Sequence, residues 1–430
     1  MKEPILFRRD DTLSPETAAY WKDLFYRVIK VGVELEAAPR KGVKRPVFEE
    51  AIRQALAPSG AVDRLGANGV WDVQTEHCGI EIRIIGRHPW FPALQKQYRE
   101  IMDVLIRRGA RPRATCGLHY HLLAPGLAEP VPEIILANLW NLTRRYAPEL
   151  KFMSSAGKSR EALCRRRNHN SHLELVRRSP GSQSMAEIQQ ALKESRIVPE
   201  HQNFLNLEHL GFTKKGGIQP FHLEFRYPDA HLSATAVTAA TFLFLAMLLK
   251  AVDLSRYGVI HVGKIHTWQR KREIMDLLSN NDGRLAASDT SGISDDILEE
   301  LRQGAYELLD LLAPVFNRFE NNPALDVLLA LAETPISLMR CAGYDWPRIE
   351  ARLAERAALD EAGLDATDQR LMQRIELGEW ANQPSPEAWQ WRAARELLLT
   401  PADLERRLDN LARLRGLRWD ERQGSMVFTS

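Results

Sequence analysis

The sequence predicts an α+β fold: an antiparallel sheet with helices packed on one side, followed by an α-helical C-terminal region. Three observations predict it. Four short segments alternate apolar and polar residues with period two, as half-buried strands do. Between them lie stretches with apolar residues at helical spacing, for example Leu94, Tyr98, Ile101 and Leu105. From Ser294 onward the pattern is helical almost without interruption.

The four strand-like segments share more than their period. In Phe221–Asp229, the side chains of Phe221, Leu223, Phe225 and Tyr227 fall on one face, and His222, Glu224 and Arg226 on the other. In Val31–Ala37 an apolar row opposes Glu34 and Glu36. Cys116–Leu122 sets His119 and His121 against its apolar row, and Ile80–Ile84 does the same with Glu81 and Arg83. One such segment alone is commonly a solvated sheet face. Four together are different, because Asp, Glu and His are not preferred strand residues. Carboxylates at i and i+2 also repel each other unless something positive lies between them. Gathering these groups on one face is costly unless a cation or polyanion binds there. The set points to a metal–phosphate site.

At 430 residues the chain is long enough for two or three domains, or for one large domain with an appendage. Lys and Arg number 58 against 56 Asp and Glu, so no global field favours nucleic acid or membrane. Cys78, Cys116, Cys164 and Cys341 form no CxxC pair, which suits a reducing compartment. The first ten residues lack the apolar core of a signal peptide. A cytoplasmic location is the expectation. Leu232–Leu249 is apolar and uncharged over a length that meets the lower limit for a membrane span. Its hydroxyl residues, and its place just after the Glu224 strand, fit a central helix behind the sheet better.

Taken in order, residues 1–29 read as a lead-in with a helix over Pro15–Val28, and residues 30–260 as the catalytic domain. Helices are expected over Val47–Ala57, Phe91–Arg108 (with Gly109 as its stop) and Val131–Tyr146. Residues 151–178 read as an irregular basic region with eight Lys and Arg, among them Lys151, Arg165 and Arg167. Trp71 and Trp90 read as core residues. Residues 261–430 form the mostly helical C-terminal region, with hydroxyl caps before Pro at Ser385-Pro-Glu387 and Thr400-Pro-Ala-Asp403. Its charged outer faces suit a packed appendage, and self-association or a protein partner is one use for it.

The motifs Gly32-Val-Glu-Leu-Glu36, Glu81 with its upstream Glu76, Gly117-Leu-His-Tyr-His121 and Glu224-Phe-Arg226 occur in an order that resembles the glutamine-synthetase-like superfamily of carboxylate–amine ligases. The match is closest to its amidoligase branch. Arg226-Tyr-Pro-Asp229 running into a small, apolar helix is similar too. The resemblance covers roughly residues 30–250. It implies a glutamine-synthetase-like antiparallel sheet with helices on its convex face, and ATP with Mg²⁺, or Mn²⁺ in its place. It implies that Glu34, His119 and Glu224 hold the metal at the ATP phosphates. Glu36, Glu76 and Glu81 would hold the metal nearer the substrate carboxylate, with Asp72 an alternative to Glu76. Arg226 would neutralise the transferred phosphoryl group, or serve only as a partner of Glu224. His121 would contact substrate or brace His119. Arg165, Arg167, Lys214, Lys215, Asn203 and Asn206 are candidates for nucleotide or substrate contacts, or else solvated and turn residues. The long ammonium-site loop of glutamine synthetases is missing.

The implied reaction is ATP-dependent formation of an amide, isopeptide or γ-glutamyl-type bond between a small-molecule or peptide carboxylate and an amine. A guanidino-kinase reading lacks its reactive-cysteine loop. A nucleotide-binding pseudoenzyme with a helical interaction module has no reason to keep so many acids together.

Overall fold

The computed structural model describes residues 5–9, 12–56, 70–111, 116–154, 184–194, 204–261 except 208, 216 and 227, 295–319, 323–333, and 366–428 except 398. The chain forms two compact units, Met1–Glu350 and Ala351–Ser430. The first begins with β1 (Leu6–Arg8), α1 (Pro15–Val28), β2 (Lys30–Ala37), α2 (Arg45–Leu56), β3 (Val70–Thr75), β4 (Ile80–Arg87) and α3 (Phe91–Arg107). It continues with β5 (Leu118–Leu123), α4 (Glu133–Arg145), α5 (Ala147–Ser154), α6 (Met185–Glu194), β6 (Leu205–Asn206) and β7 (His222–Phe225). It closes with α7 (Ala234–Leu254), β8 (Val259–His261), α8 (Asp295–Phe316) and α9 (Ala324–Glu333).

The central sheet has six antiparallel strands in the order β3-β4-β2-β5-β7-β6. Its register places Glu34 opposite both His119 and Arg83, Glu36 opposite Glu81, and His121 opposite Glu224. Directly opposed residues project to the same side of a sheet. The polar rows of β2, β4, β5 and β7 therefore merge into one field. The apolar rows face helix α7, where Phe225 stacks on Phe244 with ring centroids 4.2 Å apart and Tyr120 packs on the same ring at 5.2 Å.

Helix α7 is the one described segment long and apolar enough to cross a membrane, and it is buried along nearly its whole length. Ser233 caps it by accepting from the Ala236 amide. Its threonines do not leave hydroxyls orphaned in the core. Thr238 and Thr241 donate to the carbonyls of Ala234 and Val237, one turn back. Helices α1, α3, α4, α8 and α9 all pack on it.

That packing moves the expected boundaries. Because α8 and α9 rest on α7 and α5, the compact unit runs on to Glu350 instead of ending at 260. The lead-in is not separate either, since β1 pairs antiparallel with β8, Leu6 meeting His261 from 255 positions away. Lys151, expected in an irregular basic region, lies on α5 and is fully buried, with its ammonium 3.0 Å from Asp229. A cation is tolerated there because a carboxylate meets it. Trp90 is not core: it is 53% exposed, at the cap position before α3.

The second unit contains α10 (Ala366–Glu376), α11 (Pro386–Leu397), α12 (Pro401–Arg415) and a hairpin of β9 (Leu417–Asp420) with β10 (Ser425–Phe428). The hairpin is an addition to the mostly helical region expected there. Gly416 ends α12 in the left-handed conformation at φ 65°, and turns the chain into the alternating run that follows. Thr400 caps α12 as its sequence suggests, accepting from the Asp403 amide. Trp380 and Trp389 meet edge-to-face at 5.1 Å in the centre of this unit.

Phe225 is fully buried between the sheet and α7. Truncating it to Ala should destabilise the first unit by about 3–5 kcal/mol. Urea unfolding measures this, and a loss under about 1 kcal/mol would mean that the sheet does not depend on this contact.

Candidate functional site

The imidazole of His119 stands at the centre of the polar field. Its Nδ1 lies 2.9 Å from Glu34 Oε2 and 3.2 Å from Glu224 Oε1, and its Nε2 lies 3.7 Å from Glu36 Oε1. It thereby joins two groups of potential ligands, Glu34 with Glu224 and Glu36 with Glu81. In each group the ligand atoms lie within 4.8 Å of one another.

Each carboxylate is oriented by a neighbour that its strand position dictates. Glu36 Oε2 accepts from the Gly117 amide at 2.7 Å and from the Cys78 thiol at 3.4 Å. Glu81 Oε1 accepts from Gln74 Nε2, its cross-strand partner, at 2.9 Å and from Arg83 Nε at 2.7 Å. Glu224 is held from both sides, by Asn206 Nδ2 at 2.7 Å and Arg226 Nη1 at 2.5 Å.

The electrostatics divide these acids. Burial pushes the Glu34 carboxyl up, but hydrogen bonds from His119 and His121 and their charges outweigh it, so it sits well below the usual range. Glu224 follows the same pattern, with His119 and Arg226 overcoming burial. Glu81 moves the other way. Burial and the Glu34 charge raise it, against the pull of Arg83. Carboxylate oxygens with a single imidazole form an oxygen-rich donor set, which suits a hard divalent cation such as Mg²⁺ or Mn²⁺.

The remaining candidates separate. His121 is in the field; its Nε2 is 3.7 Å from Glu34 Oε1 and its Nδ1 is 3.0 Å from His222 Nε2. Asn206 is present too, as the partner of Glu224. Glu76 joins neither acid group. It occupies the β3–β4 turn, where its carboxylate accepts from Gln74 Nε2 at 3.3 Å and from the His77 amide at 3.2 Å. Asp72 does not replace it, since its carboxylate accepts from Arg53 at 3.3 Å. Lys214 and Lys215 are exposed in the turn that Thr213 and Gly217 close. Arg165, Arg167 and Asn203 lie outside the described residues.

Several neighbours were not singled out as site residues from the sequence. The alternation placed His222 on the face of Glu224 without assigning it a role. His209, stacked on His222 with centroids 4.5 Å apart, lies in a loop with no periodic signal. Cys78 and Cys116, 38 positions apart, pack together beside Ala38 and Ala230. The contact with Cys116, burial and the nearby Glu36 charge push the Cys78 thiol far above its ordinary value.

No family model matches the chain. A stretch of 88 residues is 36% identical to the urease accessory protein UreF of Actinobacillus pleuropneumoniae serotype 3 (strain JL03). That stretch is 20% of this chain and 37% of that protein, and a second UreF sequence from the same species matches over the same lengths. The chain thus spans little more than a third of the curated relatives it matches. Among solved structures, the chain is similar to one in the crystal structure of the complex between the prokaryotic ubiquitin-like protein Pup and its ligase PafA. The match covers 91% of this chain and 84% of that one, at 11% identity and a TM-score of 0.36. A likeness that slight carries no argument about fold or activity.

His222 supplies a test of the site's electrostatics. Burial, then the charges of His121 and His209, lower it to about 4 from its ordinary value of 6.5. A histidine depressed on folding contributes stability that is fully present above 6.5 and is lost as the pH falls toward 4. His222→Gln should therefore lose less stability than the wild type between pH 7 and pH 4. Thermal melts across that range check it, and equal slopes would show that His222 does not carry this linkage.

Proposed function

We propose that this chain is an ATP-dependent carboxylate–amine ligase with a glutamine-synthetase-like catalytic sheet. The observation that supports the reading is the pair of acid groups sharing His119, with Arg226 and Arg83 bound to their outer carboxylates. Glu34, His119 and Glu224 would hold one Mg²⁺, and Glu36 and Glu81 would contribute to a second. Divalent cations in such a place neutralise phosphate oxygens during in-line transfer.

The chain's own residues do the rest. A carboxylate does not condense with an amine at neutral pH, because its leaving group is poor. In the proposed reaction a substrate carboxylate oxygen attacks the γ-phosphorus of ATP and ADP departs. An amine then attacks the acyl carbon, the C–O bond breaks, and inorganic phosphate leaves. Arg226 presents a planar fork of donors suited to the phosphoryl oxygens. Its present bond to Glu224 keeps that fork at the edge of the acid field. Asn206 orients Glu224, and the Gly117 amide orients Glu36.

The test is product stoichiometry, with ATP, Mg²⁺ and pooled carboxylates and amines. ADP, inorganic phosphate and amide should form in equal amounts. ADP without inorganic phosphate would indicate a kinase, and no ADP above background a protein that only binds nucleotide. Arg226→Lys keeps the charge and loses the fork, so kcat should fall roughly 10²-fold or more while KM for ATP changes less. Near wild-type turnover would reduce Arg226 to a structural partner of Glu224. Glu36→Gln should abolish turnover and also the Mg²⁺-ATP-induced rise in melting temperature, with the fold retained because a repulsive charge is removed. A full ligand-induced rise in that variant would exclude Glu36 as a ligand.

A further inference from the structure

Two arginines bracket the polar field from opposite ends of one row. Arg83 of β4 stands opposite Glu34 of β2, and Glu34 stands opposite His119 of β5. At the far end Arg226 follows Phe225, the β7 partner of Tyr120. Each guanidinium reaches the same imidazole nitrogen through a single carboxylate. Arg83 Nε lies 3.5 Å from Glu34 Oε1, and Glu34 Oε2 lies 2.9 Å from His119 Nδ1. From the other side Arg226 Nη1 lies 2.5 Å from Glu224 Oε1, which is 3.2 Å from the same Nδ1. Strands β4 and β7 are three strand spacings apart, about 14 Å, with Glu34, His119 and Glu224 between the two side chains.

Arg83 leans into this row and not out of it. Its neighbour on the outer side is Asp72 of β3, whose carboxylate accepts from Arg53 at 3.3 Å. Arg83 instead donates from Nε to Glu81 Oε1 at 2.7 Å. Among the described residues its Nη1 and Nη2 have no acceptor, and the side chain is 42% exposed. Arg226 is likewise anchored through one nitrogen, Nη1, and is partly exposed. A guanidinium that served only to neutralise the acids would turn its parallel donors toward them. These two are fixed by one nitrogen each and keep donors open, which suits the oxygens of a phosphoryl group or a carboxylate.

We infer that Arg83 is the second half of a phosphoryl clamp, in which Arg83 and Arg226 together grip the group passing from ATP to the acceptor carboxylate. The inference rests on the ligase reading, which assigns Arg226 alone to that group. Glu34, His119 and Glu224 would hold Mg²⁺, and with it the nucleotide phosphates, at the middle of this row. A phosphoryl group in transfer carries its charge on three peripheral oxygens, with the entering and departing oxygens in line. Planar forks at both ends of the row can take peripheral oxygens that a cation does not. As the acceptor oxygen bonds to phosphorus, the bond to the bridging oxygen breaks and its electron pair leaves with ADP.

The test reads binding as well as turnover. The probes are Mg²⁺-ADP alone and Mg²⁺-ADP with fluoroaluminate, a stand-in for the phosphoryl group in transfer. Each is titrated calorimetrically into the wild type, Arg83→Gln and Arg83→Lys. The position is half-exposed and both replacements can still donate to Glu81; circular dichroism verifies the fold. Fluoroaluminate should tighten ADP binding in the wild type. In both variants Mg²⁺-ADP alone should bind as in the wild type, while the gain from fluoroaluminate falls on the order of tenfold or more. A gain that survives both substitutions overturns the clamp and leaves Arg83 as a binder of the substrate carboxylate or a partner of Glu81. No gain in the wild type overturns it too. An equal loss of Mg²⁺-ADP binding also overturns it, because Arg83 would then act only by ordering the acids. If the gain depends on Arg83 while pooled carboxylates and amines yield no amide, the clamp stands and the ligase reading falls. If Arg83→Gln forms amide at the wild-type rate, the ligase reading stands and the clamp falls.

Discussion

The imidazole of His119 is the interaction on which the rest of the site depends. Two carboxylates within 4.8 Å of each other repel by at least about 3.5 kcal/mol at an effective dielectric of 20. The sheet gathers Glu34, Glu36, Glu81 and Glu224, so several such terms act at once. One buried ring, with two nitrogens pointing in different directions, answers carboxylates on both sides of it. Arg83 and Arg226 answer the outer edges. The division of the acids follows. Glu34 and Glu224 are held ionised, and Glu81, under burial and the charge of Glu34, is pushed toward its neutral form.

That arrangement needs a rigid base, and the opposite face of the same strands supplies it. Phe225 sits next in sequence to Glu224 and Tyr120 lies between His119 and His121, so the residues that meet Phe244 of α7 also set the height and angle of the polar row. Hydrogen bonds from the Gly117 amide, Gln74 and Asn206 then fix individual carboxylates. The loop after β7 is tied down as well, through the buried pair of Lys151 with Asp229. Side chains held from both directions change little when a charged ligand arrives, which is the condition for electrostatic preorganisation.

Much of this was legible in the sequence. Period-two alternation identified the polar rows of β2, β4, β5 and β7, because a strand presents every second residue to one side whatever its neighbours are. The helices with a hydroxyl cap before Pro, α11 and α12, were marked by signals within a few residues of their starts. The misplaced elements lacked such local signals. Strands β1 and β8 are three residues long and become strands only by pairing with each other. Lys151 reads as a surface cation until Asp229 is brought to it. Trp90 reads as core because indole is large and apolar, yet its place at a helix start turns it outward.

The sequence by itself determined which residues share a face, because facing depends only on the spacing along a strand or helix. It also determined that one face would be dense in acids and imidazoles, and hence that a cation or phosphate was the natural occupant. Strand order and register were decided by the tertiary structure, and with them the meeting of Glu34 and Glu224 at one histidine nitrogen, 190 positions apart. The same holds for the exclusion of Glu76 and for the neighbouring thiols of Cys78 and Cys116. The physical reason is common to all of them. Coulomb and hydrogen-bond terms act over a few ångströms of space, and distance along the chain does not report distance in space until non-local packing has closed the loops between.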